Sequence, residues 1–159
     1  MATKVELLAA GLVDLNVLSE NQKPWRNLLA FPTFVDWIDG KLPLIQDSYS
    51  DSTPKEQVGA FFEAFALGEP LEYRRQYREV HPRRFGAWEL KTPAIRIFGW
   101  FSARNTFVCT FGEAADHIKK HDLVRGFLNE TTRLREGLTH PEFVPGVKYD
   151  DILSDAPNR

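Results

Sequence analysis

"WELKTPAIRIFGWFSARNTFVCTFG", residues 88–112, is the stretch whose reading decides the fold. Apolar residues run through it almost unbroken, yet Glu89, Lys91, Arg96 and Arg104 stand inside it. A charge in a buried segment is costly unless a partner meets it. The stretch is therefore either a sheet with a solvated face or a sheet that receives an anion such as phosphate. Three runs, 85–91, 94–101 and 105–111, are rich in β-formers, and Thr92-Pro93 and Ser102-Ala103-Arg104-Asn105 separate them. That pattern predicts antiparallel strands joined by tight turns. Alternation along a strand puts Arg96 on one face with Phe98 and Trp100, away from Ile95, Ile97 and Phe101. One face should pack on helices. The other should stand open and offer a cation beside an aromatic ring on which a base can stack. The competing reading is a half-solvated sheet whose arginines pair with Glu89 or Glu113.

Upstream, Thr53 and Glu56 form a capping box, Pro54 takes the first helical position, and Gly68 and Pro70 stop the helix. Val58, Phe61, Phe62 and Phe65 fall on one face of it, as a packing stripe does. Thr3 and Glu6 predict a second capped helix at the start, bent near Gly11. In "FPTFVDWIDG", Thr33 is expected to cap a short helix that packs Trp37 and Ile38 and ends at Gly40. "LEYRRQYREVHPRR", residues 71–84, suits either a helix or a strand. Downstream, a helix near 122–136 points Val124, Phe127, Leu128 and Leu134 inward. Phe61, Phe62, Phe65, Ile97, Phe101 and Phe127 are expected to share one core. The Pro- and Asp-rich end is expected to be irregular.

The composition agrees with a folded domain: 159 residues, 43% hydrophobic, with twelve Phe and four Trp. The single cysteine, Cys109, excludes an internal disulfide framework and fits a reducing compartment. Its position between Phe107 and Phe111 reads as a buried, inert thiol. No apolar run reaches membrane-span length and the start does not read as a signal peptide, so the expected location is the cytoplasm. The net charge of −2 argues against a protein that coats nucleic acid generally. The charge is unevenly spread, however. Residues 1–69 hold five Lys/Arg against ten Asp/Glu, whereas residues 70–136 hold thirteen against eight. A basic block between acidic flanks marks a polyanion-binding half or a chance segregation of charge.

His117 and His121 are four residues apart and would share a helical face. They read as a partial zinc site lacking further ligands, as acid–base groups beside Lys119 and Lys120, or as loop residues before a helix. His81 and His140 each precede a proline and read as turn residues. The sequence specifies no metal site and no cofactor motif.

Residues 84–136 resemble the RelE/HigB-like toxin superfamily, including its phage-derived relatives. The stretch Phe85-Gly86-Ala87-Trp88-Glu89-Leu90-Lys91 is similar to that family's L-x-G-x-Y-E-L-R strand. Arg96-Ile97-Phe98-Gly99-Trp100-Phe101, the run from Phe107 to Gly112, and Lys119-Lys120 are similar to the elements that follow. The inserted "EAADH" before the lysine pair and the acidic balance of the whole chain depart from the family pattern. The resemblance implies an α+β fold of RelE/ParE type: N-terminal helices on a small, mainly antiparallel sheet, then a C-terminal helix. It divides the chain into an N-terminal helical extension (1–50), a RelE-like domain (51–140) and a tail (141–159). It implies a toxin of a toxin–antitoxin system, a ribosome-dependent mRNA endonuclease with a cognate antitoxin. The alternatives are a catalytically inactive binding protein of phage or mobile-element origin and a gyrase-directed ParE-like toxin. On the endonuclease reading the catalytic set is Arg96, Lys119, Lys120 and Lys91. The RNA-binding residues are then Arg74, Arg75, Arg78, Arg83, Arg84, Arg104 and Trp100.

Overall fold

The computed structural model describes residues 2–48 and 50–157. Among them the chain forms six α-helices and one six-stranded mixed sheet, an α+β fold. The strands are β1 (Val13–Asp14), β2 (Asn27–Ala30), β3 (Tyr77–Glu79), β4 (Trp88–Lys91), β5 (Ile95–Ala103) and β6 (Thr106–Ala114). Their order across the sheet is β1-β2-β6-β5-β4-β3. All neighbours are antiparallel except β2 and β6, which run parallel. The opening stretch thus forms the expected meander. The β5–β6 turn is tighter than expected: Ala103 pairs with Thr106 after a register shift, and Asn105 takes a left-handed φ of 67°, a conformation that asparagine tolerates better than most residues. The ambiguous 71–84 segment supplies β3 at the sheet edge.

Helices α1 (Lys4–Ala9), α2 (Pro32–Gly40), α3 (Pro54–Ala66), α4 (Ala115–His121), α5 (Val124–Glu136) and α6 (Tyr149–Ile152) flank the sheet. Both capping boxes form at α1 and α3. Thr33 is not the cap: α2 begins at Pro32, two residues earlier than a Thr33 cap would start it, with Phe31 at the N-cap and no side-chain cap. Proline presets the helical φ there and has no N–H that needs a partner. His117 and His121 are helical rather than in a loop, since the inserted segment extends β6 and forms α4.

Helices cover the sheet on both faces. On one face, Phe61, Phe62 and Phe65 of α3 and Phe34 of α2 pack with Ile95, Ile97, Phe101, Phe107 and Cys109. On the other, Leu7 of α1 packs with Trp100 and Val108, and Ile118 of α4 and Leu128 of α5 pack with Phe98. The expected open face beside Arg96 is therefore closed along most of its length, and Phe98 and Trp100 are both 0% exposed. Phe127 consequently leaves the expected common core. It stacks on Phe98 at 4.9 Å, on the face opposite the α3 phenylalanines.

A β-bulge explains one further departure. Phe98 pairs with Phe111 and Gly99 with Cys109, so Thr110 is the extra residue. The bulge shifts the alternation: Cys109 lies in the α3-side core, while Phe111 contacts Phe127 on the other side. Thr110 Oγ1 donates to the Phe98 carbonyl at 2.9 Å and accepts from Thr131 Oγ1 of α5 at 2.7 Å, which satisfies a hydroxyl inside the bulge.

The expected division at residue 50 has no counterpart in the sheet. Strand β2 is the parallel neighbour of β6, and Leu28 and Ala30 belong to the same core as α3. The C-terminal segment is irregular apart from α6, yet it seals the core with Val144, Ile152 and Leu153; residues 158–159 lie outside the described range. Arg26, 0% exposed, ties this segment down. Its guanidinium donates to the carbonyls of Ser154, Phe65 and Glu69, to Tyr149 Oη at 3.2 Å, and to Asp155 Oδ1 at 2.8 Å. Among the described residues no helix is long and apolar enough to cross a membrane.

Candidate anion-binding site

The charged end of the opening stretch lies at the β4–β5 turn. Lys91 and Arg96 are direct cross-strand partners there. Two like charges in that position normally destabilise a sheet. Both are half-buried, and neither forms an ion pair with a protein carboxylate among the described residues. Arg96 curls onto the turn instead, its Nη1 donating to the Thr92 carbonyl at 2.6 Å and the Ile95 carbonyl at 3.0 Å. Glu113, its other cross-strand neighbour, accepts from the backbone N–H of Ala114. Glu89 is paired with Arg78 at 3.2 Å. Burial lowers the Lys91 ammonium below its usual pKa, and the Arg96 charge lowers it further. The Arg96 guanidinium is also lowered, chiefly by burial.

These two side chains open into a cleft of about 660 Å³ between α3, residues 74–76 and the β4–β5 turn. Arg74 and Arg75 stand on its rim beside Gln76, and Ala60, Phe61, Ala64 and Pro93 form an apolar wall. Arg75 is paired with Glu72 at 2.7 Å. Arg74 has a left-handed φ of 72° and lies over the Tyr73 ring at 5.8 Å. Its backbone N–H donates to the Tyr77 carbonyl, which holds the rim against the edge strand. Among the described residues no His, Asp or Glu lines the cleft.

Gln57 fixes the cleft's shape. It is in helical phase with Phe61 and Phe65 and is buried. Its Nε2 donates to Asp47 Oδ2 and the Ser52 carbonyl, while its Oε1 accepts from Thr92 Oγ1 and from the Ala94 backbone N–H at 2.9 Å. One amide thus joins α3 to the preceding loop and to the β4–β5 turn. The readable signal was a polar residue in step with an apolar stripe.

Of the expected site residues, Arg96, Lys91, Arg74 and Arg75 come together in this cleft. Arg78 is beside it but committed to Glu89. Lys119 is exposed on α4 and close enough for its charge to act on Lys91; Lys120 is exposed on the same helix. Arg83 and Arg84 sit in a 3-10 turn at the far end of β4, with Arg84 over the Phe85 ring. Arg104 is at the opposite end of β5, where its Nε donates to the Leu153 carbonyl. Trp100 cannot stack on a base in this conformation, because α1, Phe31, Leu138 and Phe143 enclose it.

The histidine pair does face together, with ring centroids 4.6 Å apart. Among the described residues, however, no group of three or more His, Cys, Asp or Glu is placed to hold a metal. Cys109 is fully buried in the core, where burial raises its thiol pKa and keeps it protonated. Comparison with protein-family models, with curated proteins and with solved structures gives no significant match.

Proposed function

We propose that this chain is a RelE/HigB-like protein directed at RNA, an mRNA endonuclease acting on the ribosome, and that the cleft at the β4–β5 turn is its phosphate site. The observation that carries this reading is the unpaired Lys91–Arg96 cross-strand contact. A sheet that keeps two half-buried like charges opposite each other sacrifices local stability, as functional sites do. An RNA phosphate would supply the missing anion. The order of elements from α3 onward supports the reading: a helix precedes the antiparallel strands β3 to β6, and further helices follow them. In cleavage, Arg96 would stabilise the negative charge that builds on the non-bridging oxygens of the phosphorane, and Lys91 would move a proton, aided by its lowered pKa.

The lack of a histidine or carboxylate in the cleft lining favours a second reading, in which the chain binds RNA without cutting it. Expression in a bacterial host decides between them. Growth arrest with mRNA cut at codon boundaries supports the endonuclease. RNA binding without arrest supports the binding protein. Arrest with DNA damage instead would point to a gyrase-directed toxin and overturn the RNA reading. Arg96→Ala should abolish RNA binding and any arrest while the fold stays intact. Arg96→Lys should rescue only in part, because an ammonium cannot make a bidentate phosphate contact.

A further inference from the structure

The cleft's charge count points to its ligand. Arg74, Arg75, Lys91 and Arg96 line it, and only Arg75 has a carboxylate partner, Glu72. Arg74, Lys91 and Arg96 form no ion pair with a carboxylate among the described residues, and Lys91 and Arg96 are half-buried. Glu89, itself paired with Arg78, acts on Lys91 and Arg96 only through space, as Asp116 does on Arg96. An internal phosphodiester brings one negative charge. A terminal phosphomonoester brings about −1.5 to −2 at neutral pH and three acceptor oxygens. Burial raises the free energy of an uncompensated charge, so the more fully charged group fits this cleft better. The donors also suit it. The Arg96 Nη2, the Lys91 ammonium and the Gln76 amide nitrogen make no hydrogen bond among the described residues, and all three side chains line the cleft. The apolar wall of Ala60, Phe61, Ala64 and Pro93 leaves the adjoining sugar and base a dry side to lie against.

We propose that the cleft recognises a phosphate dianion at an RNA terminus in preference to an internal phosphodiester. This rests on the reading of the cleft as an RNA-phosphate site. Its test is binding of one short RNA in three forms, with a 5′-phosphate, with a 3′-phosphate and with hydroxyls at both ends, alongside inorganic phosphate as the minimal probe. At least one phosphorylated form should bind about tenfold more tightly than the hydroxyl form. That difference should vanish in Arg96→Ala and in Lys91→Met, with circular dichroism confirming that both variants fold. Inorganic phosphate should compete for the same site. Equal affinity for all three RNAs would overturn the inference while leaving the RNA reading in place. Binding of inorganic phosphate but of no RNA would overturn the RNA reading and identify a site for a small phosphomonoester. Binding of neither would overturn both.

Discussion

Strand β5 carries two chemistries within a few residues. Across residues 97–101 it is sealed from both sides: Ile97 and Phe101 pack toward α3, Phe98 and Trp100 pack under α5 and α1, and Gly99 lies so close to β6 that an added Cβ would sit 1.9 Å from the Val108 carbonyl oxygen. One residue earlier, Arg96 faces Lys91 in a water-accessible cleft. The sealed half is packed on both faces, and its one polar exception is the buried Trp100 Nε1–H, which has no hydrogen-bond partner among the described residues. The charged half departs from pairing rules differently, because like charges oppose each other with no carboxylate in ion-pair contact with either among the described residues. The first half builds the domain, and the second holds the like-charge contact on which the proposed anion site rests.

The largest effect should come from breaking the sealed half. Phe65 is 0% exposed, stacks with Phe61, and has the Arg26 guanidinium 5.3 Å from its ring centroid. Phe65→Ala should lower stability by about 3–5 kcal/mol. That is a large share of the roughly 5–15 kcal/mol that holds a domain of this size together. Thermal unfolding measures it; an unchanged melting temperature would mean that α3 does not close this core.

Arg26→Met probes the same half through its polar seam. Methionine fills comparable space but leaves the carbonyls of Phe65, Glu69 and Ser154 without their donor. Unpaired buried groups cost about 1–3 kcal/mol each, offset where water can reach them. The net loss should be about 2–3 kcal/mol. Limited proteolysis should find the 149–157 segment cut before the sheet is, because Arg26 bonds to Tyr149, Ser154 and Asp155 together, beside the ties that Trp25 and Asn105 make to Ser154 and the Leu71 N–H makes to Tyr149 Oη. Uniform loss of the whole domain would deny the segment its separate attachment.

What the sequence disclosed follows the same division. The meander, α3 and the capping boxes were readable because each is set by neighbours in sequence: alternation, a Phe stripe, Thr-x-x-Glu. Strand β2 was not, since four residues that pair in parallel with β6 leave no periodic trace. Nor was the covering of the Arg96 face. Alternation correctly placed Arg96 beside Phe98 and Trp100, but whether a face is wet depends on α1 and α5, which arrive from opposite ends of the chain. For the cleft, the basic block contains the four cations that line it but does not reveal their grouping. Arg74, Arg75, Lys91 and Arg96 meet, whereas Arg83, Arg84 and Arg104 lie elsewhere, because the strand order and the two turns distribute residues that are close in sequence to different ends of the sheet.

The smallest effect tests the charged half and should have the opposite sign. Lys91→Met keeps the aliphatic stem and removes the charge facing Arg96. Relief of one cross-strand like-charge contact should stabilise the unliganded protein by about 0.5 kcal/mol near neutral pH. The folded-state pKa of Lys91 lies below the usual 10.5, with burial as the main cause and Arg96 next. The folded protein therefore gives up this proton at lower pH than the unfolded chain does. Below the folded pKa the wild type bears the full penalty. As pH rises from that value toward 10.5, the wild type regains stability and the advantage of the variant shrinks. Phosphate should reverse the order at neutral pH, because a ligand that binds only the folded wild type stabilises it in proportion to the logarithm of its concentration over Kd. Thermal unfolding of both proteins, with and without phosphate and across the alkaline range, reads all three signs. A variant less stable than wild type without phosphate would mean that the Lys91–Arg96 contact is ordinary structure, and the case for an anion in the cleft would lose its main support.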